Sequence, residues 1–333
     1  MSRLLVFNPE HDYALASNNQ YYYPPAGIIS LKNKLQYLPL LSADNDDFLL
    51  DSSNRLVKTV DLQETDIASE VGKITKIVPW GWDSAIKTKL IGMGFNSKLF
   101  PSDLYLKNLR RLSHRRISIS CNDFLNSPYI PTEFFDLEAA LEFYTENPDC
   151  CFKAPWSSSG RGVMFCKELA FHAVKEWTHG VIKKQKSVLA ESFADKKLDF
   201  ASLWEIENEN INFRGFSISL TDNRGRYLGN LYGPQIDIKK YISNHTNDMD
   251  DYILQLQQKF IEKYIAPFYS GRLGIDMIAD SEGNIRPCIE INLRNTMGHI
   301  AIDIQNRISF KPTYDFERKL KYFSNIFIPI NQV

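Results

Sequence analysis

The chain has 333 residues, of which 44% are hydrophobic and 24% are charged, and its formal net charge at pH 7 is −1. These values are typical of a globular protein with two or three packed lobes, and they argue against a large basic footprint for nucleic acid. The cysteine count of five is odd and Cys150 adjoins Cys151, so we expect a reducing compartment without a disulfide framework.

The chain begins with a short apolar run at residues 4–7, which predicts a buried strand that ends at Asn8-Pro9. This run is too short for a signal peptide or a membrane span, and acidic residues follow it at once. We therefore expect a cytoplasmic protein without a membrane partner.

Residues 56–61 and 74–79 predict further short strands. A helix is predicted at 82–94, because Ala85, Ile86, Leu90 and Ile91 share one face. Strands that alternate with a helix indicate a small open α/β domain, which we place at residues 1–112.

Beyond residue 112 the pattern predicts a mixture of helices and antiparallel strands. Asp136 is a good N-cap for a helix through residue 144. The later predicted elements are strands at 151–154, 163–166 and 188–193, helices at 169–183 and 249–268, and hairpins at 214–220/227–232 and 274–279/285–292.

Lys153 ends a predicted strand and precedes a loop of small residues at 155–162. A lysine inside an apolar strand is unfavourable unless an anion meets it, and phosphate is the usual anion. Serines and glycines let the backbone N–H groups approach such a ligand closely. The alternative is a plain hairpin connection with a lysine that reaches solvent.

The last predicted hairpin carries Asp276, Glu290 and Asn292. Glu290 and Asn292 are two residues apart and share one face of a regular strand. If Asp276 joins them, two carboxylates and an amide oxygen form a hard-oxygen site suited to Mg²⁺. A solvated polar face is the alternative, but apolar residues flank these side chains on both strands.

The position of Asp276 depends on the turn. A three-residue turn at Ser281-Glu282-Gly283 pairs Asp280 with Asn284 and sets Asp276 opposite Cys288, diagonal to Glu290 and on its face. A two-residue turn would put Asp276 on the other face, and Pro287 can add a bulge.

These segments, in this order, resemble the ATP-grasp superfamily, which includes D-alanine–D-alanine ligase, glutathione synthetase and biotin carboxylase. The resemblance covers residues 112–304. It implies an α/β and α+β architecture, in which two α+β ATP-grasp subdomains at 113–187 and 188–333 follow the open, Rossmann-like α/β domain at 1–112.

The resemblance also implies ATP and one or two Mg²⁺ ions, which Mn²⁺ can replace. Asp276, Glu290 and Asn292 would be the metal ligands, and Arg294 and Lys153 the catalytic cations. Arg115 takes the place of a lysine that is common in the family. The implied nucleotide contacts are Arg115, Lys153, Ser158, Ser159, Gly160, Arg161, Gly162, Val163, Glu191, Ser192, Phe193 and Asp199.

Two loops that follow strands of the first domain are expected to line the acceptor site, because ligands bind at the carboxyl ends of strands in open sheets. The alternative is that Asp12 and Asp83 only start helices. The expected substrate contacts are Asn8, Glu10, His11, Trp80, Trp82 and His299, the last of which is more often a structural residue.

The leading hypothesis is a ligase that activates a carboxylate as an acyl-phosphate and joins it to an amine, with release of ADP. The substrate would be a small molecule or a peptide, for example an amino acid, and not a nucleic acid. A kinase on the same scaffold and a non-catalytic nucleotide-binding regulator are the alternatives. The oligomeric state is left open, with a homodimer as one alternative.

Overall fold

The computed structural model describes residues 2–157, 162–222, 227–247, 251–309 and 314–333. Their strands form three sheets that follow one another along the chain. The predicted turn at 223–225 lies outside the described residues.

The first sheet belongs to the N-terminal part of the chain and has the order β4-β3-β2-β1-β5. Its strands are β1 Ser2–Val6, β2 Phe48–Leu50, β3 Leu56–Lys58, β4 Glu64–Thr65 and β5 Ile74–Pro79. The helices of this part are α1 His11–Ser17, α2 Ala26–Leu35, α3 Ile67–Glu70 and α4 Ser84–Gly92. Because β1 pairs in parallel with β5, the loops that follow these strands lie side by side.

The predicted strands at 4–7 and 74–79 and the helix at 82–94 correspond to β1, β5 and α4. The Asp83 side chain caps α4 by accepting from the N–H of Ile86 at 2.9 Å. The strand predicted at 56–61 is shorter than expected, because the chain turns back after Lys58 and the N–H of Leu62 donates to the Lys58 carbonyl at 3.0 Å.

Two helices, α5 Asp103–Leu112 and α6 Arg116–Phe124, connect the first sheet to the second. The second sheet has the antiparallel order β6-β9-β7-β8. Its strands are β6 Thr132–Phe134, β7 Cys150–Lys153, β8 Val163–Phe165 and β9 Val188–Ser192, and its helices are α7 Leu137–Glu146 and α8 Phe171–Gln185. Asp136 caps α7 as predicted.

One face of the second sheet packs against helices, and the other carries polar side chains. Cys150 and Phe152 of β7 pack into an apolar cluster with α7 and α8. Since side chains alternate along a strand, Cys151 and Lys153 lie on the opposite face. That face looks away from the helices, and it carries the polar groups described below.

The third sheet has the order β14-β13-β10-β11-β12-β15. Its strands are β10 Lys196–Glu207, β11 Asn210–Thr221, β12 Tyr227–Tyr232, β13 Gly271–Asp280, β14 Ile285–Asn292 and β15 Phe327–Pro329. Its helices are α9 Gln235–Ser243, α10 Asp251–Phe260, α11 Met297–Ser309 and α12 Tyr314–Tyr322. The helix predicted at 249–268 thus ends earlier, where a π-helical turn at Ile261–Ile265 follows α10.

The N-terminal part packs against the last helices through an apolar cluster that contains Phe7, Trp80, Ile300 and Phe323. The rings of Phe7 and Trp80 meet edge to face, with 5.1 Å between centroids. This cluster sets the loops after β1 and β5 beside the end of β14. Among the described residues, no helix is long and apolar enough to cross a bilayer.

Two glycines give a matched test of how closely the backbone packs between β12 and the segment before β15. A Cβ at Gly229 of β12 would lie 2.3 Å from the backbone oxygen of Ile326, whereas a Cβ at Gly180 of α8 would meet nothing within 4 Å. We expect Gly229→Ala to lower the free energy of unfolding by about 1–3 kcal/mol, because backbone must shift. Gly180→Ala should raise it by about 0.5–1 kcal/mol through helix propensity. Urea unfolding of the two variants measures both, and equal effects would contradict the expectation.

Candidate functional site

One face of the third sheet carries the predicted oxygen donors. Asp276 of β13 lies directly opposite Glu290 of β14 in the ladder. The Asn292 side-chain amide donates to Asp276 Oδ2 at 2.9 Å. Three donors from two neighbouring strands therefore share one face, as the sequence predicts.

The turn that joins these strands has the predicted length. The N–H of Asp280 donates to the carbonyl of Asn284 at 3.1 Å, and Gly283 has a φ of 84°. A φ in this region favours glycine, so the residue type fits the turn.

The predicted partner of Asp276 is nevertheless wrong. Ile278 pairs with Arg286 in register with the turn, but Asp276 pairs with Glu290 and not with Cys288. The ladder is irregular here, and β14 contributes two more residues to the interval than β13 does. A net shift of two residues keeps the same faces on either side of the irregular stretch, so Asp276 stays on the predicted face and moves closer to Glu290, while Cys288 within the stretch packs with Ile291 on the other face.

The ionisation of Asp276 is affected by its surroundings. Burial and the neighbouring Glu290 carboxylate raise the pKa of Asp276 to about 7. A divalent cation would relieve this repulsion, and carboxylate and amide oxygens are the donors that Mg²⁺ prefers. Among the described residues, no three His, Cys, Asp or Glu side chains converge on a metal position, so the third donor would be the Asn292 amide.

Arg115 connects the second sheet to the third. Its NH1 donates to the Ala154 carbonyl at 2.9 Å and to Ser157 Oγ at 2.8 Å, both in the loop after β7. Its NH2 donates to Glu290 Oε2 at 2.9 Å. Only 5% of the residue is exposed. A single buried guanidinium therefore fixes the loop to one of the two carboxylates.

Arg115 keeps its charge in this position. Burial by itself would lower the pKa of the guanidinium, but Glu290, Glu191 and Asp12 outweigh it and raise that pKa. Its Nε has no hydrogen-bond partner among the described residues. The side chain therefore keeps a buried Nε–H donor for a further acceptor.

Lys153 and Glu191, both predicted nucleotide contacts, form an ion pair across β7 and β9. Cys151, which lies opposite Glu191 in the ladder, donates its thiol to the same carboxylate at 3.5 Å. Lys153 is 8% exposed. The lysine charge is therefore met by a carboxylate on the face that looks away from α7 and α8.

Arg286 of β14 holds the segment after Glu191 in place. It donates to the carbonyls of Ser192 at 2.7 Å and Phe193 at 2.9 Å. Its guanidinium also stacks on the ring of Tyr129, 4.6 Å from the centroid. Arg286 was not among the residues predicted from the sequence, although its even spacing from Glu290 places it on the same face and could have identified it.

Asp199 lies on β10, opposite Ile278 of β13. Its carboxylate accepts from Thr221 Oγ1 at 3.0 Å and forms an ion pair with Lys196. Because Asp276 lies two residues from Ile278, Asp199 shares the face of the oxygen donors.

Arg294 binds Asp12 in the first turn of α1, with Nε and NH2 each 3.0 Å from Asp12 Oδ2. The sequence placed Asp12 in a loop expected to line the acceptor site, with a helix start as the alternative, and did not indicate Arg294 as its partner. The ion pair instead attaches the N-terminal part of the chain to the end of β14. An acidic residue just after a strand of an open sheet was the available signal.

Three of the expected substrate contacts in the two loops of the first domain are buried. Asn8 donates to the Gly81 carbonyl at 2.8 Å, and His11 Nδ1 lies 3.4 Å from Asp83 Oδ2. These contacts join the two loops to each other, while Trp80 belongs to the apolar cluster with α11. Asn8, His11 and Trp80 thus contact other protein groups, and a substrate role for these three residues stays a prediction.

The other expected contacts of these loops are only partly buried. Glu10 forms an ion pair with Lys32 at 2.8 Å. Trp82 packs edge to face with Phe100, with 6.1 Å between centroids. A substrate role for Glu10 and Trp82 stays a prediction.

His299 is 2% exposed. Its Nδ1 lies 2.8 Å from Thr296 Oγ1, and its Nε2 lies 3.4 Å from the Trp204 carbonyl. Burial lowers the pKa of this imidazole well below its usual value, so the ring is neutral. Both ring nitrogens meet groups of the protein, which fits the structural alternative, and a substrate contact at His299 stays a prediction.

The predicted loop residues Ser158, Ser159, Gly160 and Arg161 lie outside the described residues. Where the chain is described again, Gly162 accepts from the N–H of Ala154 at 2.7 Å and Val163 pairs with Lys153. A Cβ at Gly162 would lie 2.2 Å from the Ser157 side chain, so the close approach of the loop ends requires glycine here.

Comparisons with known proteins agree with this architecture. No protein-family model matches the chain. A curated relative from Niallia circulans, the butirosin acyl-carrier-protein–L-glutamate ligase, is 26% identical over 215 residues. The match spans 63% of this chain and 46% of the relative, about half of the relative's length.

Two solved structures share the fold. The biotin carboxylase domain of the Hydrogenobacter thermophilus 2-oxoglutarate carboxylase, solved with MgADP, ADP and bicarbonate, has a TM-score of 0.51 and 18% identity over 75% of this chain and 56% of its own. The D-alanine–D-alanine ligase of Coxiella burnetii has a TM-score of 0.52 and 10% identity over 96% of this chain and 92% of its own. Both proteins belong to classes that the sequence resemblance named.

His114, which directly precedes Arg115, gives a test of the electrostatics. Burial and the nearby charges of Arg116, Arg110 and Arg115 lower the pKa of His114 to about 3. A lowered histidine pKa contributes stability that is present above the unfolded pKa of about 6.5 and is lost as the pH falls toward about 3. We expect His114→Asn to reduce the pH dependence of the unfolding free energy in this window by up to about 1.4 kcal/mol per pH unit.

The asparagine oxygen can replace His114 Nδ1, which accepts from the N–H of Arg116 at 3.0 Å, so the local turn is retained. Urea unfolding at several pH values between 4.5 and 7.5 measures the slope. His179→Asn, at an exposed position of α8, is the matched control. If both variants keep the wild-type dependence of the unfolding free energy on pH, then His114 does not contribute to it as a buried neutral imidazole.

Proposed function

Since the chain has the ATP-grasp fold, we propose that it binds ATP with Mg²⁺ between the second and third sheets and joins a carboxylate to an amine. The observation that carries this proposal is the set of contacts made by Arg115. One cation holds both the loop after Lys153 and the Glu290 carboxylate, so the groups suited to phosphate and those suited to a divalent metal lie together.

The groups that would bind the nucleotide are paired with each other in the structure. Lys153 would leave Glu191 to meet the phosphates, and the segment 191–193 would lie beside the base. The carbonyls of Ser192 and Phe193 already accept from Arg286, which would keep this segment in one conformation.

Asp276, Glu290 and Asn292 would hold Mg²⁺, which supplies charge neutralisation for the phosphates when bound. The raised pKa of Asp276 supports this role, because a carboxylate held near another gains from a cation. The Asp12 carboxylate lies 3.0 Å from the Arg294 guanidinium and would orient this cation toward the phosphates and Mg²⁺.

The proposed reaction has two steps. A carboxylate oxygen attacks the γ-phosphorus of ATP, the bond to the bridging oxygen breaks, and ADP leaves. An amine nitrogen then attacks the carbonyl carbon of the acyl-phosphate, phosphate leaves, and the amine releases a proton. The residues position the reactants and balance charge, since phosphoryl transfer needs little covalent help from the protein.

The relative from Niallia circulans supports ligation, because it is named as a ligase that uses L-glutamate and an acyl-carrier protein. We propose an amino acid or a peptide as one substrate of this chain. A kinase would use the same nucleotide half, and a regulator would bind ATP without turnover. The assay below separates the three.

We expect ADP formation with Mg²⁺ only when a carboxylate substrate is present. Pools of amino acids and short peptides should be screened by ADP release, with and without hydroxylamine. Hydroxylamine traps an acyl-phosphate as a hydroxamate, which a colour reaction with iron detects. A phosphorylated product without a hydroxamate would indicate the kinase, and tight ATP binding without ADP release would indicate the regulator.

We expect Arg115→Lys to raise the KM for ATP at least tenfold, because one ammonium group cannot bond the Ala154 carbonyl, Ser157 and Glu290 together. Arg116→Lys is the matched control, since the Arg116 guanidinium is exposed and binds Glu133 at 2.8 Å. Its KM should stay within twofold of the wild type. Equal effects of the two replacements would remove the observation on which the proposal rests.

A further inference from the structure

A broad groove with a volume of about 980 Å³ opens beside the candidate site. Its walls are α1, α5, Trp156 and the end of α8. Each wall is close in sequence to the site, because Ala14 follows Asp12 by two residues, His114 precedes Arg115, and Trp156 precedes Ser157.

The groove is basic although the whole chain has a net charge of −1. Its cations are Lys107, Arg110, Arg111, Arg116, Lys184 and Lys186. Two acids also line it, but Asp83 is 2% exposed and Asp103 pairs with Lys87 at 2.7 Å. The positive charge of the groove is therefore not balanced by its own acids.

Most of these cations have no carboxylate partner. Arg116 binds Glu133. Within the part of the chain that the structure describes, no carboxylate lies within 4.0 Å of Lys107, Arg111, Lys184 or Lys186. Unpaired cations on α5 and at the end of α8 converge on one groove, which favours an anionic ligand of some length.

The rest of the lining distinguishes a polypeptide from a nucleic acid. The one tryptophan, Trp156, has Arg110 over its ring at 4.2 Å and His114 against it at 4.4 Å, so neither side offers a free platform for bases. Beyond Gln20 at the rim, Tyr21 is 74% exposed and Tyr23 is 80% exposed. Tyrosine and arginine are both enriched at protein interfaces.

We propose that this groove binds an acidic polypeptide segment of a substrate protein and so delivers the group that is ligated. This inference rests on the proposed function and names its substrate class. The segment lies along α5 and the end of α8, with its carboxylates on the lysines and arginines and its backbone beside the tyrosines.

The test uses the full chain and a fluorescein-labelled decaglutamate peptide, with binding followed by fluorescence anisotropy at low salt. The wild type is expected to bind, and Lys107→Glu/Lys184→Glu is expected to weaken binding at least tenfold. Lys175→Glu/Lys259→Glu makes the same change in net charge at exposed positions outside the groove and should stay within twofold. Equal weakening by both double variants would overturn the proposal, as would failure of the wild type to bind.

A labelled ten-residue oligothymidylate is the second probe. Groove-dependent binding of the oligonucleotide that is tighter than that of the peptide would also overturn the proposal, in favour of a nucleic acid. Thermal stabilisation by Mg-ATP checks that each variant is folded. If Lys107→Glu/Lys184→Glu is not folded, the neutral double variant Lys107→Gln/Lys184→Gln takes its place. Absence of that stabilisation from the wild type would refute the proposed function, while the anisotropy data would still decide the groove.

Discussion

The buried guanidinium of Arg115 is the contact on which the arrangement of the two C-terminal sheets depends. A buried charge is stable only where opposite charge and hydrogen-bond acceptors surround it. Arg115 finds its acceptors on both sheets, in the loop after β7 and at Glu290. Neither sheet alone satisfies the side chain, so the requirement fixes how the sheets meet. Arg286 adds a second link of the same kind at the far end of β9.

The polar groups of the site form a set in which each charge has a partner. Lys153 pairs with Glu191, Arg294 with Asp12, and Arg115 with Glu290. A ligand that enters would exchange partners with groups that are already desolvated and oriented. Such preorganisation reduces the reorganisation that accompanies charge development during a reaction. Asp276 differs from the rest, since its near neighbour is another carboxylate and its pKa is raised.

Local patterns predicted the elements that build the site, including β5, β7, the cap of α7 and the three-residue turn before β14. They missed β10, which is central in the third sheet. Both of its faces are covered, by α10 and by α11, so the alternation that identifies a strand is lost. The sequence also could not show that Asn8 bonds to the neighbouring loop and that His11 lies beside Asp83 there, because both contacts depend on the parallel pairing of β1 with β5. The domain boundaries at residues 112 and 187 stay predictions.

The irregular stretch between Asp276 and Glu290 has a consequence for how the hairpin can change in length. Two additional residues in β14 leave Glu290 and Asn292 on the face they would have in a regular ladder, whereas one would rotate them to the opposite face. Insertions or deletions of even length at this point therefore preserve the oxygen donors, and those of odd length remove them. During divergence of such hairpins, natural selection would accept length changes in pairs and discard single ones.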